Sequence, residues 1–308
     1  MKYLKLIRYQ NLLLIAFMQL ILRYGFLKLQ NIELALADWQ FGLLVLATIF
    51  IAAGGYAIND IMDQETDNDN RPNSVIVGKS VTENMAYNLY FGFTIIGVLI
   101  GFYLSNLIMR NSFFGIFIIS SVLLYLYATS LKQIAVVGNI VVALVLALSV
   151  LIVGMFDIIP ATDFNNQQQM KMWLYILLDY AIFAFIINFI REIVKDLQDL
   201  NGDYNQGMKT LPVLLGIEKT TKAVTILSIL ATVALLWYVN HHLMNSKLYF
   251  ATVYALLFII SPMLFVSIKA WSAKSSTEFR LLSTILKATI FFGILSIFII
   301  TLNILYNA

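Results

Sequence analysis

Nine apolar runs, each close to 20 residues long, dominate this 308-residue chain. About 20 consecutive apolar residues are what a helix needs to cross the hydrocarbon of a bilayer. Hydrophobic residues make up 60% of the chain and charged residues only 12%, so too little polar sequence remains to cover such a core in water. The composition excludes a soluble enzyme, a disordered chain and a nucleic-acid-binding protein. The runs occupy residues 10–29, 40–58, 86–108, 112–130, 134–156, 173–191, 222–240, 248–268 and 281–305.

These runs predict an all-α fold, a polytopic membrane protein with nine transmembrane helices around a central chamber. A single membrane-embedded domain is expected to cover residues 1–308. Most Lys and Arg residues fall in alternate connectors, which the positive-inside rule assigns to the cytoplasm. We therefore expect an integral protein of the plasma or inner membrane, surrounded by membrane lipids. Its amino terminus and its two longest connectors, residues 59–84 and 192–221, are expected in the cytoplasm, and its carboxyl terminus outside.

More than half of the 17 acidic residues fall in two short stretches, residues 60–69 and 192–203, which we call the first and second acidic windows. Both contain the pattern Asp-x2-Asp-x3-Asp at the end of an apolar run. Offsets of three and seven residues share one face of a helix, so each triplet is expected to point one way. The match predicts an internal duplication, with pseudo-repeats of about 1–130 and 131–308 whose triplets face each other. The triplets are Asp60, Asp63 and Asp67, and Asp196, Asp199 and Asp203.

Three carboxylates on one face repel one another unless a cation lies among them. Oxygen ligands without His or Cys favour a hard ion such as Mg²⁺, which usually completes its coordination with water and phosphate oxygens. Two facing clusters would therefore hold a polyphosphate between them. The alternative, that both windows are solvated loops, does not explain why they match.

Basic residues gather near the same windows, where they could bind a diphosphate. Lys132 is the strongest candidate because its connector is too short to need a charge for solubility, and Tyr127 precedes it. The other candidates are Arg71 and Lys79 after the first window, and Arg191, Lys195 and Lys209 around the second.

These motifs resemble those of the UbiA-type superfamily of intramembrane prenyltransferases. The first signature of that family, Asn-Asp-x2-Asp-x3-Asp, is matched here by the segment that begins at Asn59. The second is matched by the segment from Arg191 to Pro212, which reads REIVKDLQDLNGDYNQGMKTLP. The stretch YATSLKQIAVVGN, residues 127–139, resembles a further family motif after the fourth helix. Arg8 and Asn11 resemble its amino-terminal element. The second signature is most similar to that of members that prenylate geranylgeranylglyceryl phosphate.

The resemblance implies Mg²⁺-dependent transfer of an isoprenyl group, geranylgeranyl by preference, from its diphosphate to a lipophilic acceptor, with release of pyrophosphate. The preferred acceptor is geranylgeranylglyceryl phosphate, and an aromatic precursor of quinones or heme is the alternative. A cation-coupled membrane transporter remains as an alternative of another class, because it also places carboxylates inside a duplicated bundle. The implied catalytic residues are Asp63, Asp199 and Lys132, and the implied metal ligands are Asp60, Asp63, Asp67, Asp196, Asp199 and Asp203. The implied substrate-binding residues are Asn11, Asn59, Arg71, Lys79, Tyr127, Lys132, Arg191, Lys195 and Lys209.

Overall fold

A computed structural model describes residues 1–70, 72 and 75–306 of the chain. Within these residues, nine helices are long and apolar enough to cross a membrane. The predicted all-α architecture is confirmed. The nine are α1 (Tyr9–Gln30), α2 (Asp38–Met62), α3 (Glu83–Leu107), α4 (Asn111–Thr129), α5 (Val137–Asp157), α6 (Gln167–Asn205), α7 (Leu211–Met244), α8 (Tyr249–Ser272) and α9 (Ser276–Tyr306).

The helices pack side by side into a closed ring. α2 packs against α3 and α4, α4 packs against α5, and α5 packs against α6. α6 also contacts α7 and α9, and α9 closes the ring by packing against α1. Because α6 touches both of its neighbours and α9 as well, it lies along one wall of the interior.

The outward faces of the helices carry large apolar side chains. The exposed fractions of Leu99, Ile229 and Ile268 are 60%, 48% and 75%. Such surfaces are costly in water and suit contact with lipid tails. Apolar side chains therefore cover the outside of the bundle as well as filling its core.

Two predicted connectors are more helical than expected. The segment 192–221 was expected as a loop, but α6 continues to Asn205, so the second window lies on the last turns of a 39-residue helix. In the segment 59–84, α2 runs to Met62 and a short helix, Gln64–Asn70, follows it. Backbone hydrogen bonding continues past the apolar run in both places, because helix formation needs no apolar side chains once the helix is nucleated.

The opposite end of the bundle contains a buried ion pair. Arg23 of α1 donates to both carboxylate oxygens of Asp157, the last residue of α5, at 2.6 and 2.5 Å. The Arg23 side chain is 2% exposed and the Asp157 side chain is fully buried. Arg23 also donates to the backbone carbonyl of Leu36 and lies over the Phe41 ring at 4.5 Å. These contacts join α1, α2 and α5 at this end.

Candidate active site

A cavity of about 320 Å³ lies inside the ring, at the end of the bundle that carries the two acidic windows. Its wall is built from α1, α2, α4, α5 and α6 together with the short helix Gln64–Asn70. The structure thus brings together most of the residues that the sequence predicts for the site. Those on the wall are Asn11, Asn59, Asp63, Asp67, Tyr127, Lys132, Arg191, Lys195, Asp196, Asp199 and Asp203.

Asp63 is held from two directions. It directly follows Met62, the last residue of α2, and its carboxylate forms an ion pair with the Lys132 ammonium. The Asn59 side-chain amide donates to the other carboxylate oxygen at 2.6 Å. Lys132 lies in the single 3₁₀ turn Leu131–Gln133 between α4 and α5. The short connector therefore places a cation directly beside the first window.

Asp60 does not share the face of Asp63. The first triplet was expected on one helical face, but α2 ends at Met62, and the Asp60 carboxylate accepts a hydrogen bond from Arg8 at 2.8 Å instead of lining the cavity. Burial alone would lower the pKa of Arg8, but attraction by Asp60 outweighs it and raises that pKa above its ordinary value. Arg8 therefore stays protonated, and it is Arg8 that lies on the cavity wall.

The second triplet keeps the arrangement that its spacing predicts. Asp196, Asp199 and Asp203 lie on successive turns of α6 and all reach the cavity wall. Asp196 accepts a hydrogen bond from the Asn139 amide at 2.8 Å, and Asp203 accepts one from the Thr210 hydroxyl at 3.1 Å.

The two windows face each other across the cavity. Asp63 and Lys132 are near enough to Asp203 to act on it electrostatically, although they belong to different helices. Six carboxylates and four cations lie on the described part of the wall, which leaves an excess of two negative charges. The cations are Arg8, Lys132, Arg191 and Lys195.

Glu192 binds its two basic neighbours. Lys195 donates to both Glu192 carboxylate oxygens at 2.9 and 2.8 Å, and Arg191 donates to one of them at 3.2 Å. Glu192 is 4% exposed, so these charges are held together inside the protein. The cluster presents two cations to the cavity beside the second window.

Two predicted substrate-binding residues, Lys79 and Lys209, are not brought to this wall. Lys79 is exposed and donates to the backbone carbonyl of Pro72 at 2.7 Å. Lys209 is exposed, and its backbone N–H donates to the carbonyl of Gln133 at 2.9 Å. Arg71 lies outside the described residues.

Sequence reasoning missed several polar wall residues. Asn188 of α6 lies on the wall, and Asn139 of α5 supports the wall residue Asp196 through its hydrogen bond. An amide within an apolar run is a signal that could have identified both. Tyr56 and Thr210 carry no such signal, because aromatic and hydroxyl residues are common at the ends of apolar helices. Glu192 fell inside the second window but was not assigned to the site.

The oxygen donors of the wall fit a hard divalent cation. Among the described residues, no three acidic or histidine side chains lie close enough together to surround one ion. The carboxylates are instead distributed around the cavity, with more negative than positive charge. Mg²⁺ commonly binds through one or two carboxylates and completes its octahedron with water and substrate phosphates, so this arrangement suits an ion that arrives with a phosphorylated ligand.

Away from the charged groups, the cavity wall becomes apolar toward the middle of the bundle. Ile51, Phe117, Leu124, Val145 and Leu148 line this part. A cavity that is charged at one end and apolar along its length matches an amphiphilic ligand with an anionic head and a hydrocarbon chain. The fold and the cavity together define a class, an integral membrane protein that binds such a ligand inside its helical ring.

Comparison with known proteins identifies the family within this class. The UbiA prenyltransferase family model matches residues 25–293. The chain belongs to the UbiA prenyltransferase family, and it is a prenyltransferase.

Named relatives agree with this assignment. Digeranylgeranylglyceryl phosphate synthase of Saccharolobus solfataricus is 32% identical over 228 residues, which are 74% of this chain and 73% of the relative. The synthase of the same name from Methanosphaera stadtmanae is 30% identical over 221 residues, 71% of each chain.

Two solved structures share the fold. One, of digeranylgeranylglyceryl phosphate synthase, has a TM-score of 0.63 at 20% identity and covers 97% of both chains. Another, a UbiA homologue from Archaeoglobus fulgidus bound to GPP and Mg²⁺, has a TM-score of 0.57 at 16% identity, with coverage of 96% of this chain and 99% of that one.

Proposed function

We propose that this prenyltransferase uses Mg²⁺ to transfer an isoprenyl group from an isoprenyl diphosphate to geranylgeranylglyceryl phosphate, with release of pyrophosphate. One observation carries the proposal, namely that two facing sets of carboxylates, with Lys132 bound to Asp63 between them, lie at the charged end of an otherwise apolar cavity. The printed names of the curated relatives supply the glyceryl phosphate acceptor.

The donor binds with its diphosphate among the carboxylates and its chain along the apolar wall. Asp63 and Asp67 act from one side of the cavity, and Asp196, Asp199 and Asp203 from the other. Asn59 orients the Asp63 carboxylate through the 2.6 Å hydrogen bond. Mg²⁺ held by these carboxylates would neutralise charge on the diphosphate. The excess of carboxylates on the wall is consistent with this role.

Transfer breaks the bond between C1 of the donor and its bridging oxygen, whose electron pair leaves with pyrophosphate. The Lys132 ammonium donates a hydrogen bond to that oxygen, which stabilises the developing negative charge. The apolar wall around Phe117 and Leu124 keeps water away from the allylic cation. The acceptor hydroxyl oxygen then bonds to C1, and its proton is taken up by the departing pyrophosphate.

The orientation in the membrane follows from the distribution of cations. Lys132, Lys195 and Arg191 lie at the same end of the bundle as the acidic windows. By the positive-inside rule this end faces the cytoplasm, where soluble diphosphates and Mg²⁺ are available. The carboxyl terminus, after α9, then lies on the other side.

The acceptor is tested with purified protein, radiolabelled geranylgeranyl diphosphate and Mg²⁺. Geranylgeranylglyceryl phosphate and an aromatic quinone precursor are offered in parallel reactions. We expect a labelled diether product from the first reaction and none from the second. A product from the aromatic acceptor alone contradicts the proposed acceptor. The absence of product from both acceptors contradicts geranylgeranyl diphosphate as the donor as well.

A further inference from the structure

Lys287 is a cation within the apolar part of α9. It is half-buried, and its ammonium donates to the side-chain carbonyl of Asn11 in α1 at 2.7 Å. None of the ion pairs found among the described residues includes Lys287. Asn11 is neutral, so this hydrogen bond does not balance the charge. A cation at membrane depth is costly, and such residues usually serve a ligand or a partner.

The charged groups that act on Lys287 are themselves cations. They are Arg191 and Lys195 of α6. Arg191 has one buried guanidinium nitrogen, Nε, without a hydrogen-bond partner. Glu192 binds both α6 cations but not Lys287. Positive charge therefore accumulates on the α6 side facing α9.

Lys287 and Arg191 line a second cavity, of about 90 Å³, beside the one already described. The two cavities share Asn11, Tyr56, Asn188 and Arg191 among their wall residues. No acidic residue lies on the described wall of the second cavity, and the rest of that wall is largely apolar. A ligand in this cavity would thus meet cations and hydrocarbon but no carboxylate.

We infer that Lys287 and Arg191 bind the phosphate of the acceptor lipid, an inference that rests on the proposed function. The shared wall places the second cavity next to the donor cavity, as two reacting ligands require. A diphosphate bound with Mg²⁺ needs carboxylate ligands, which the first cavity offers and the described wall of the second lacks. A single phosphate needs only donors and positive charge, which Lys287, Arg191 and the Asn11 amide supply.

The inference makes Lys287 a determinant of acceptor specificity. An anionic glyceryl phosphate would be preferred over the corresponding uncharged lipid alcohol, because only the phosphate offsets the buried positive charge. The apolar residues Met18, Ile290 and Ile294 on the same wall would contact the hydrocarbon chain of that acceptor.

Lys287→Met tests the inference, because it keeps the length of the side chain and removes the charge. Steady-state transfer from geranylgeranyl diphosphate is measured with geranylgeranylglyceryl phosphate and with geranylgeranylglycerol, which lacks the phosphate. We expect the ratio of the two kcat/KM values, phosphate over alcohol, to fall about 10- to 100-fold in Lys287→Met. Lys287→Arg should restore most of the preference because it retains the positive charge.

Lys222→Met is the matched control, because Lys222 pairs with exposed Glu218 and is not among the residues that line either of the two cavities described above. Lys222→Met should leave the ratio of the two kcat/KM values at the wild-type value.

A preference for the phosphate that is as strong in Lys287→Met as in the wild type overturns the inference and leaves the proposed function intact. A rise in the KM of Lys287→Met for the donor, with the KM for the acceptor unchanged, also overturns the inference. Failure of wild-type protein to use either acceptor overturns the proposed function itself. Size-exclusion chromatography in detergent establishes that each variant is folded.

Discussion

The side-chain amide of Asn70 is hydrogen-bonded through both of its polar atoms to the backbone of α6. Its oxygen accepts from the Gly202 N–H at 2.9 Å, and its nitrogen donates to the carbonyl of Asp199 at 3.0 Å. A Cβ atom at position 202 would lie 2.2 Å from the Asn70 amide nitrogen, so only glycine allows this approach. The contact connects the short helix of the first window to the helix of the second.

Gly202→Ala is expected to separate the two windows. The added methyl group displaces the Asn70 amide and shifts the first window relative to Asp199, and small displacements of reacting groups are costly. We expect kcat/KM for prenyl transfer to fall about 10- to 100-fold. Gly92→Ala is the control, because Gly92 is also helical and a Cβ added there meets no atom within 4 Å. Equal activity of the two variants would show that the Asn70 contact does not position the site.

Removal of single carboxylates at the charged end of the cavity is expected to abolish transfer without preventing membrane insertion. Asp63→Ala or Asp199→Ala should lower kcat by about 1000-fold, because each removes charge that acts on the leaving diphosphate. Glu65→Gln is a matched control in the same helix as Asp67, since Glu65 is exposed and lies off the cavity wall. Near wild-type turnover by purified Asp63→Ala in Mg²⁺ would refute the role of the first window.

Chelation should stop the reaction reversibly. EDTA is expected to reduce transfer to background, and added Mg²⁺ should restore it, because the diphosphate cannot otherwise lie among an excess of carboxylates. The readout is the amount of ether product per minute. Transfer that persists in EDTA would contradict a metal-dependent site. Cation-coupled substrate movement without any covalent product would instead favour the transporter interpretation.

The second window was predictable from the sequence, whereas the first was only partly so. Offsets of three and seven residues repeat on an unbroken helix, and α6 is unbroken through Asp203. The end of α2 at Met62 and the Arg8–Asp60 pair depend on contacts between distant segments, which spacing does not encode. The internal duplication stays a prediction, because the matched aspartate patterns are its only support.

Lys287 shows a different limit of sequence reasoning. Its partner Asn11 lies 276 residues earlier in the chain. A lone cation in an apolar run signals only that some polar contact exists. The partner of Lys287 can be identified only once the packing of α9 against α1 is known.

The buried Arg23–Asp157 pair is expected to contribute to stability and not to chemistry. Arg23→Met leaves a fully buried carboxylate without its cation, which costs about 3–5 kcal/mol. We expect a clearly lower midpoint of thermal unfolding in detergent, with transfer by the remaining folded protein close to wild type.

The double variant Arg23→Met/Asp157→Leu should recover much of that loss, because it removes both charges. Glu218→Gln, which weakens an exposed pair with Lys222, serves as the control and should leave the midpoint of thermal unfolding close to wild type. Arg23→Met with wild-type stability would contradict the structural role of the pair.

The central claim is that the facing aspartates direct an isoprenyl group from its diphosphate to a lipid hydroxyl. The most direct test is a single-turnover experiment with protein in lipid nanodiscs, Mg²⁺, geranylgeranyl diphosphate and geranylgeranylglyceryl phosphate, in which pyrophosphate and ether product are quantified together. We predict that the two appear in equal amounts and at the same rate in the wild type, and that both are lost in Asp199→Ala. Pyrophosphate release without ether product, or equal product formation by Asp199→Ala, would contradict the account.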